Sequence, residues 1–382
     1  PDAVSLLTIP LFVLAGRLME TGGMANRMIG IATKLVGAYR GSMGLVTVFA
    51  CMLFGALSGS GPATTAAIGS ATVPAMKKEG YDVPFAAAIT ASAGALGSLI
   101  PPSNLMIIYG LVSETSIPRL FLAGIIPGFI VTTLLMMTTY IIARRRGYGG
   151  GGDPFTWGPF LTAAWEGKWS IGAPVLILGG IYGGIFTPTE AAGVAVFYAL
   201  FVGLFVYREL TVRKVLEALR FTALLTGILI LMLTPTLAFG QLTAFYDVPA
   251  AVQAGITSIT TSPFLVLMLI GIFYIFIGTF MESLAQIVLF TAVFLPLVVS
   301  LGIDPVLFGI FTVITCEIGF LTPPLGANLT IASRISKISL ERISVAVLPF
   351  IGAYIVGMII LILFPELTLF LPNWVYGPAS VR

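Results

Sequence analysis

Long apolar stretches separated by short basic runs dominate this chain. Residues 4–20, 83–113, 118–142, 171–186, 188–207, 221–243, 305–333 and 339–364 carry at most two charged residues each. Roughly 20 such residues cross a bilayer as a helix, so this pattern predicts membrane-spanning helices. Lys and Arg gather at 27–40, Lys77-Lys78, Arg144-Arg145-Arg146, 208–220 and 334–342. The positive-inside rule puts these runs in the cytoplasm. The spans then alternate: 4–20 inward, 83–113 outward, 118–142 inward, 171–186 outward, 188–207 inward, 221–243 outward, 305–333 inward and 339–364 outward.

Two stretches do not fit as simple spans. Residues 41–76 are uncharged for 36 positions, yet Arg40 and Lys77-Lys78 flank them on the same side. The chain must go in and come back, which predicts a re-entrant hairpin with its tip near Ser58, Gly59, Ser60 and Gly61. Non-helical backbone at that depth is tolerated only where protein or a water-filled cavity surrounds it. Residues 248–281 and 283–303 form a second uncharged pair of arms between loops without Lys or Arg, and should enter from the outside.

A gapless shift of 222 positions relates the two hairpins. It pairs Pro74 with Pro296, Gly80 with Gly302, Asp82 with Asp304, Gly97 with Gly319, Pro101-Pro102 with Pro323-Pro324, and Pro127 with Pro349. The basic Lys77-Lys78 falls opposite Val299-Ser300, so equivalent loops lie on opposite faces. The prediction is an all-α polytopic membrane protein, an inverted-topology repeat with two re-entrant hairpins and two discontinuous helices. A local likeness between 16–23 and 278–285 needs a different offset and is set aside as coincidence.

Composition narrows the chemistry. The chain has 382 residues, 58% hydrophobic and 9% charged, with mean hydropathy +1.05, which excludes a soluble globular protein. With no His there is no imidazole base, metal ligand or proton relay. No G-x-x-x-x-G-K-[ST] loop is present, and the Gly-rich run 147–155 reads as a linker, so ATP does not drive the protein directly. Cys51 and Cys316 read as separate buried thiols, and nothing points to nucleic acid. A passive channel and an intramembrane enzyme are the other classes to weigh. The first would need a continuous polar pore, and the second lacks His or an Asp-rich metal motif.

Proline lacks the N–H that would bond the carbonyl four residues earlier. Pro101-Pro102 should therefore free the carbonyls of Gly97 and Ser98, and Pro323-Pro324 those of Gly319 and Phe320. Two readings are open: a dehydrated sodium ion held by these carbonyls, or a kink satisfied by a neighbouring Ser, Thr or water. The tip residues Ser58, Gly59 and Ser60 would add oxygen ligands and close backbone approach, opposite a second tip at 280–283. Thr64 and Thr65 read as ordinary small-residue packing. Glu282 either balances a cation, positions the second tip, or is solvated at the hairpin's outer end, and Glu317 has a similar but weaker case. The basic runs 27–40 and 211–220 read as interfacial helices.

The segments "SGSGPATTAAIGSATVPAMKKEGYD" (58–82), "IPPSNLMIIYG" (100–110), "LGGIYGGIFTPTEAA" (178–192) and "GIDPVLFGI…IGFLTPPLGANL" (302–329) resemble the large membrane subunit of tripartite ATP-independent periplasmic transporters, the DctM type. The resemblance covers essentially the whole chain. It implies a bacterial inner-membrane location and sodium-driven uptake of an organic acid by an elevator mechanism. It further implies a small four-helix membrane subunit and a periplasmic substrate-binding protein as partners; the alternative is a stand-alone sodium-coupled dicarboxylate carrier with a similar two-hairpin architecture and no binding protein. It places Na+ at the first tip and break (Ser58, Gly59, Ser60, Gly97, Ser98, Asn104) and at the second (Glu282, Gly319, Phe320, Thr322). Substrate would lie between them, near Ser60, Gly61, Pro102, Ser103, Asn104, Ser283, Pro324, Gly326 and Asn328. The expected organisation is a scaffold helix and arm helix in 1–40 and a first transport unit in 41–113. Scaffold, linker and arm helices follow in 114–261, a second transport unit in 262–335, and a last span and tail in 336–382. The second copy's spans 171–186 and 188–207 have no counterpart before residue 4, so two preceding helices are expected in the full-length protein.

Overall fold

The computed structural model describes residues 7–39, 41–148 and 155–378. Arg40, the start of the first span and most of the Gly-rich linker lie outside them. Among the described residues the regular structure is entirely helical. In chain order the helices are α1 Thr8–Thr21, α2 Met24–Val36, α3 Ser42–Ser58, α4 Gly61–Lys78, α5 Val83–Gly94, α6 Leu96–Leu99, α7 Asn104–Ser113 and α8 Ile117–Arg146. Then come α9 Trp157–Glu166, α10 Lys168–Tyr182, α11 Pro188–Phe201, α12 Val212–Phe245, α13 Val248–Ile259, α14 Pro263–Gly278, α15 Ser283–Ser300, α16 Pro305–Phe320, α17 Ala327–Ser336, α18 Leu340–Leu363 and α19 Pro365–Tyr376.

The shift of 222 reappears as geometry. Helix α4 runs over 61–78 and α15 over 283–300; α5 starts at 83 and α16 at 305; α8 starts at 117 and α18 at 340. The match reaches back to α2, 24–36, against α13, 248–259. Each start is set locally: Ser60, Ser103, Glu282 and Asp304 accept a backbone N–H in the first turn of α4, α7, α15 and α16. Packing follows the same symmetry. Helix α7 lies against α15 of the other repeat, and α17 lies against α4. Each half-helix beyond a break is thus braced by the opposite hairpin, and the two repeats interlock.

Two expectations change. Residues 248–281 are not one arm. The Thr260–Ser262 segment and Pro263 divide them into α13 and α14, because proline cannot continue the preceding helix. The run 211–220 is likewise not a separate interfacial helix but the first turns of α12. No Gly or Pro separates it from the following apolar stretch, so one helix of 34 residues forms, about 51 Å long at 1.5 Å per residue. The other basic run does form its own helix, α2, which buries Met24, Met28 and Ile31 and pairs Arg27 with Glu209.

Candidate transport site

Both hairpins turn at midchain breaks. Helix α3 stops at Ser58 because Gly59 adopts φ +60°, a left-handed conformation that favours glycine. A Cβ on Gly59 would also lie 2.7 Å from the Pro102 carbonyl oxygen. This closeness lets the Gly59 carbonyl accept the Asn104 N–H at 3.0 Å, while the Gly61 N–H donates to Ser98 Oγ at 2.9 Å. The first tip is therefore pinned to the first break, where Val83–Leu99 and Asn104–Ser113 meet at a 42° bend. In the second repeat the Thr279 carbonyl accepts the Leu325 N–H at 3.1 Å. Each pair also crosses glycine on glycine. A Cβ on Gly55 would lie 3.0 Å from Gly97 Cα, and one on Gly278 2.9 Å from Gly319 Cα.

The freed carbonyls find local partners. Ser103 Oγ donates to the Ser98 carbonyl, and the Gly319 carbonyl accepts the Thr322 N–H at 2.9 Å. At Ser98 and Gly319 the local reading left open above holds for one bond each: the last turn tightens and a neighbouring serine bonds in. Thr322 Oγ1 is itself committed to the Ile318 carbonyl, and Ser58 Oγ lies 2.6 Å from Thr64 Oγ1. Thr64 is thus part of the tip rather than ordinary packing. An oxygen accepting or donating one bond keeps a lone pair for a cation.

The strongest oxygen cluster lies between the repeats. Glu317, in the last turns of α16, is fully buried and accepts from Asn328 Nδ2 at 3.3 Å. A Cβ on Gly61 would sit 2.9 Å from Glu317 Oε2, 3.2 Å from Asn328 Nδ2 and 3.2 Å from Ser98 Oγ. The acid of the second break therefore meets the tip of the first hairpin. Glu317 Oε1, Asn328 Oδ1, Asn104 Oδ1 and Ser283 Oγ are buried without a hydrogen-bond partner. Among the described residues no three His, Cys, Asp or Glu side chains cluster as metal ligands. The donors are carboxylate, amide, hydroxyl and carbonyl oxygens, which suit a hard cation such as Na+.

A cavity of about 390 Å³ opens beside this cluster. Ser58, Gly59, Ser60, Ser98, Asn104, Glu282, Glu317 and Phe320 line it. Glu282 caps α15, its Oε2 accepting the Leu284 N–H at 3.0 Å, so its carboxylate positions the second tip while facing the cavity. Gly61 and Asn328 stand behind the lining, against Glu317. Gly97 and Gly319 serve the helix crossings, and Ser103 receives the Met106 N–H and holds Ser98. Pro102 is buried behind the first tip. Ser283 is buried in the first turn of α15. Pro324 is exposed, and Gly326, φ +41°, starts α17; neither lines the cavity. Arg17 and Glu20 of α1 do line it and were not anticipated, although a charged pair inside an apolar span was a visible signal.

Paired hairpins, interlocked broken helices and an oxygen-rich cavity between them define a polytopic permease rather than an enzyme. The chain belongs to the DctM component family of the tripartite ATP-independent periplasmic transporters, whose family model matches residues 2–367. It is 42% identical over 369 residues to the isethionate TRAP transporter permease protein DctMQ of Oleidesulfovibrio alaskensis, covering 97% of this chain and 58% of that protein. It is 40% identical over 370 residues to the C4-dicarboxylate TRAP transporter large permease protein DctM of Pseudomonas aeruginosa, covering 97% of this chain and 86% of that one. The fold is similar to that of the Alcanivorax borkumensis YdaH transporter, with TM-score 0.65 at 17% identity over 96% of this chain and 85% of that one. The chain is a large permease subunit of the bacterial inner membrane.

Proposed function

We propose that this subunit takes up a small organic acid, dicarboxylate-like in chemistry, coupled to an inward sodium gradient. The observation that carries the reading is the set of buried, unpartnered oxygens on Glu317, Asn328 and Asn104 beside the cavity. Charge explains why cation and anion would travel together. The cavity presents the carboxylates of Glu20, Glu282 and Glu317 against one guanidinium. Two like charges 4 Å apart repel by about 4 kcal/mol at an effective dielectric of 20. An organic anion is accommodated there once bound sodium offsets the carboxylates. The first ion would use the tip oxygens with Ser98 and Asn104, and the second the oxygens around the second break.

In this reading the hairpins and broken helices, 41–113 and 262–335, move as a transport domain against a scaffold that includes α1, α8, α11 and α12. A small membrane subunit would complete the scaffold, and a periplasmic binding protein would deliver substrate. The substrates named for the two relatives, isethionate and C4-dicarboxylates, are organic anions and support that class. The test is uptake into proteoliposomes holding the full-length subunit and its small partner, with and without a sodium gradient and a cognate binding protein. Uptake requiring both supports the reading. Sodium-independent flux would overturn the coupling, and sodium-driven uptake without a binding protein would overturn the tripartite assignment.

A further inference from the structure

Of the described Lys and Arg residues, Arg17 alone lines the cavity. It stands on α1, one residue beyond the point where that helix touches the first tip: a Cβ on Gly16 would lie 3.1 Å from Ser58 Cα. One guanidinium nitrogen donates to Glu20 Oε2 at 2.6 Å, and the guanidinium lies 5.1 Å from the centroid of the Phe221 ring on α12. No other side-chain hydrogen bond of Arg17 occurs among the described residues. A guanidinium offers five N–H groups in a planar fork, so most of its donors face a space without a protein acceptor.

We infer that Arg17 is an anion-docking group on the α1 wall, taking the carboxylate or sulfonate head of the transported acid. The inference rests on the function proposed above and deepens it. A planar fork matches the paired oxygens of such a head, and the Phe221 ring orients its plane. Glu20 is the resident counter-ion: it neutralises the guanidinium when the cavity is empty and competes with the arriving anion, keeping release possible. Span 4–20 runs inward, so Arg17 lies in its cytoplasmic half and meets the anion on the release side.

The test is anion exchange in proteoliposomes carrying the full-length subunit and its small partner, with the cognate binding protein outside, succinate and isethionate as probes and sodium on both sides. Arg17→Gln should raise the half-saturating internal anion concentration about tenfold or more, with the half-saturating sodium concentration unchanged. Arg17→Lys should recover part of the loss, since it keeps the charge but not the fork. Glu20→Gln should lower the half-saturating concentration by releasing the guanidinium. An unchanged internal half-saturation in Arg17→Gln overturns the inference. So does a shift of Glu20→Gln in the same direction as Arg17→Gln, which would make the pair a structural strut. If Arg17→Gln fails to insert, Arg17→Lys decides, and wild-type half-saturation there overturns the inference. Wild-type protein that exchanges neither anion rejects the proposed function itself, and this inference with it.

Discussion

The two hairpin tips are built alike and placed differently. Both turn between antiparallel helices, both give a carbonyl to an N–H of their own broken helix, and both cross it glycine on glycine. Yet the first tip and its break are largely buried, with Ser58 against Gly16 of α1, whereas Phe280 and Leu325 of the second are 60% and 49% exposed. Their chemistry differs too. Glu317 stands where the first repeat has Ala95, and Ser98 stands where the second has Phe320. A near-symmetric backbone therefore carries a shared centre: the hydroxyl comes from one repeat, the carboxylate from the other, and they meet at Gly61. Repetition sets the framework, and departures from it place the site.

That contrast can be tested in order of effect. Glu317→Gln removes the charge both repeats converge on; sodium-dependent uptake should fall roughly 100-fold, measured in proteoliposomes with membrane insertion checked separately. Retained sodium coupling would place the cation elsewhere. Next, Gly97→Val forces a side chain toward the Ser60 carbonyl oxygen, 2.6 Å from the position of its Cβ, and should destabilise the protein by about 1–3 kcal/mol in thermal unfolding. Gly319→Val meets Gly278 Cα at 2.7 Å and should cost a similar amount, because the crossings are alike. Unequal losses would break the equivalence. Ser98→Ala strands the Gly61 N–H and should cost about 1–3 kcal/mol, whereas Thr322→Ala removes only a local bond to the last turn of α16 and should cost less. Smallest is Phe280→Ala at the exposed tip, within about 0.5 kcal/mol, where a larger loss would mean that tip is packed more tightly than its exposure indicates.

Much of the framework was readable from apolar run lengths, paired prolines and the shift of 222, because bilayer thickness and missing proline N–H groups leave few alternatives. Hairpin tips were legible for the same reason: an uncharged stretch with basic residues at both ends has to return. Helix continuity was less so. A basic run reads the same whether its helix lies along the interface or runs into the next span, and α12 did the latter. The centre was half-legible. Ser98 follows from the first break and Asn104 and Asn328 from the family resemblance, but Glu317 was ranked below Glu282 because burial depends on which helix covers it. Part of the cover is Gly61, far away in sequence, which meets Glu317 beside the nearer Asn328. Arg17 escaped notice because a lone charged pair on α1 has meaning only once the opposite wall of the cavity is known.

If the hairpin slides along α1 as proposed above, the contact between Gly16 and Ser58 would act as a mechanical stop. On that face of α1, one turn away in either direction, stand Val13 and Glu20, each with a side chain where Gly16 has none. The hairpin tip rests in a notch one residue wide. To travel along α1 it must first lift away from the helix, clear a side chain and settle again. The size of residue 16 would then set the height of that first step, making a hydrogen atom's worth of space a control on the rate of any sliding between these two elements.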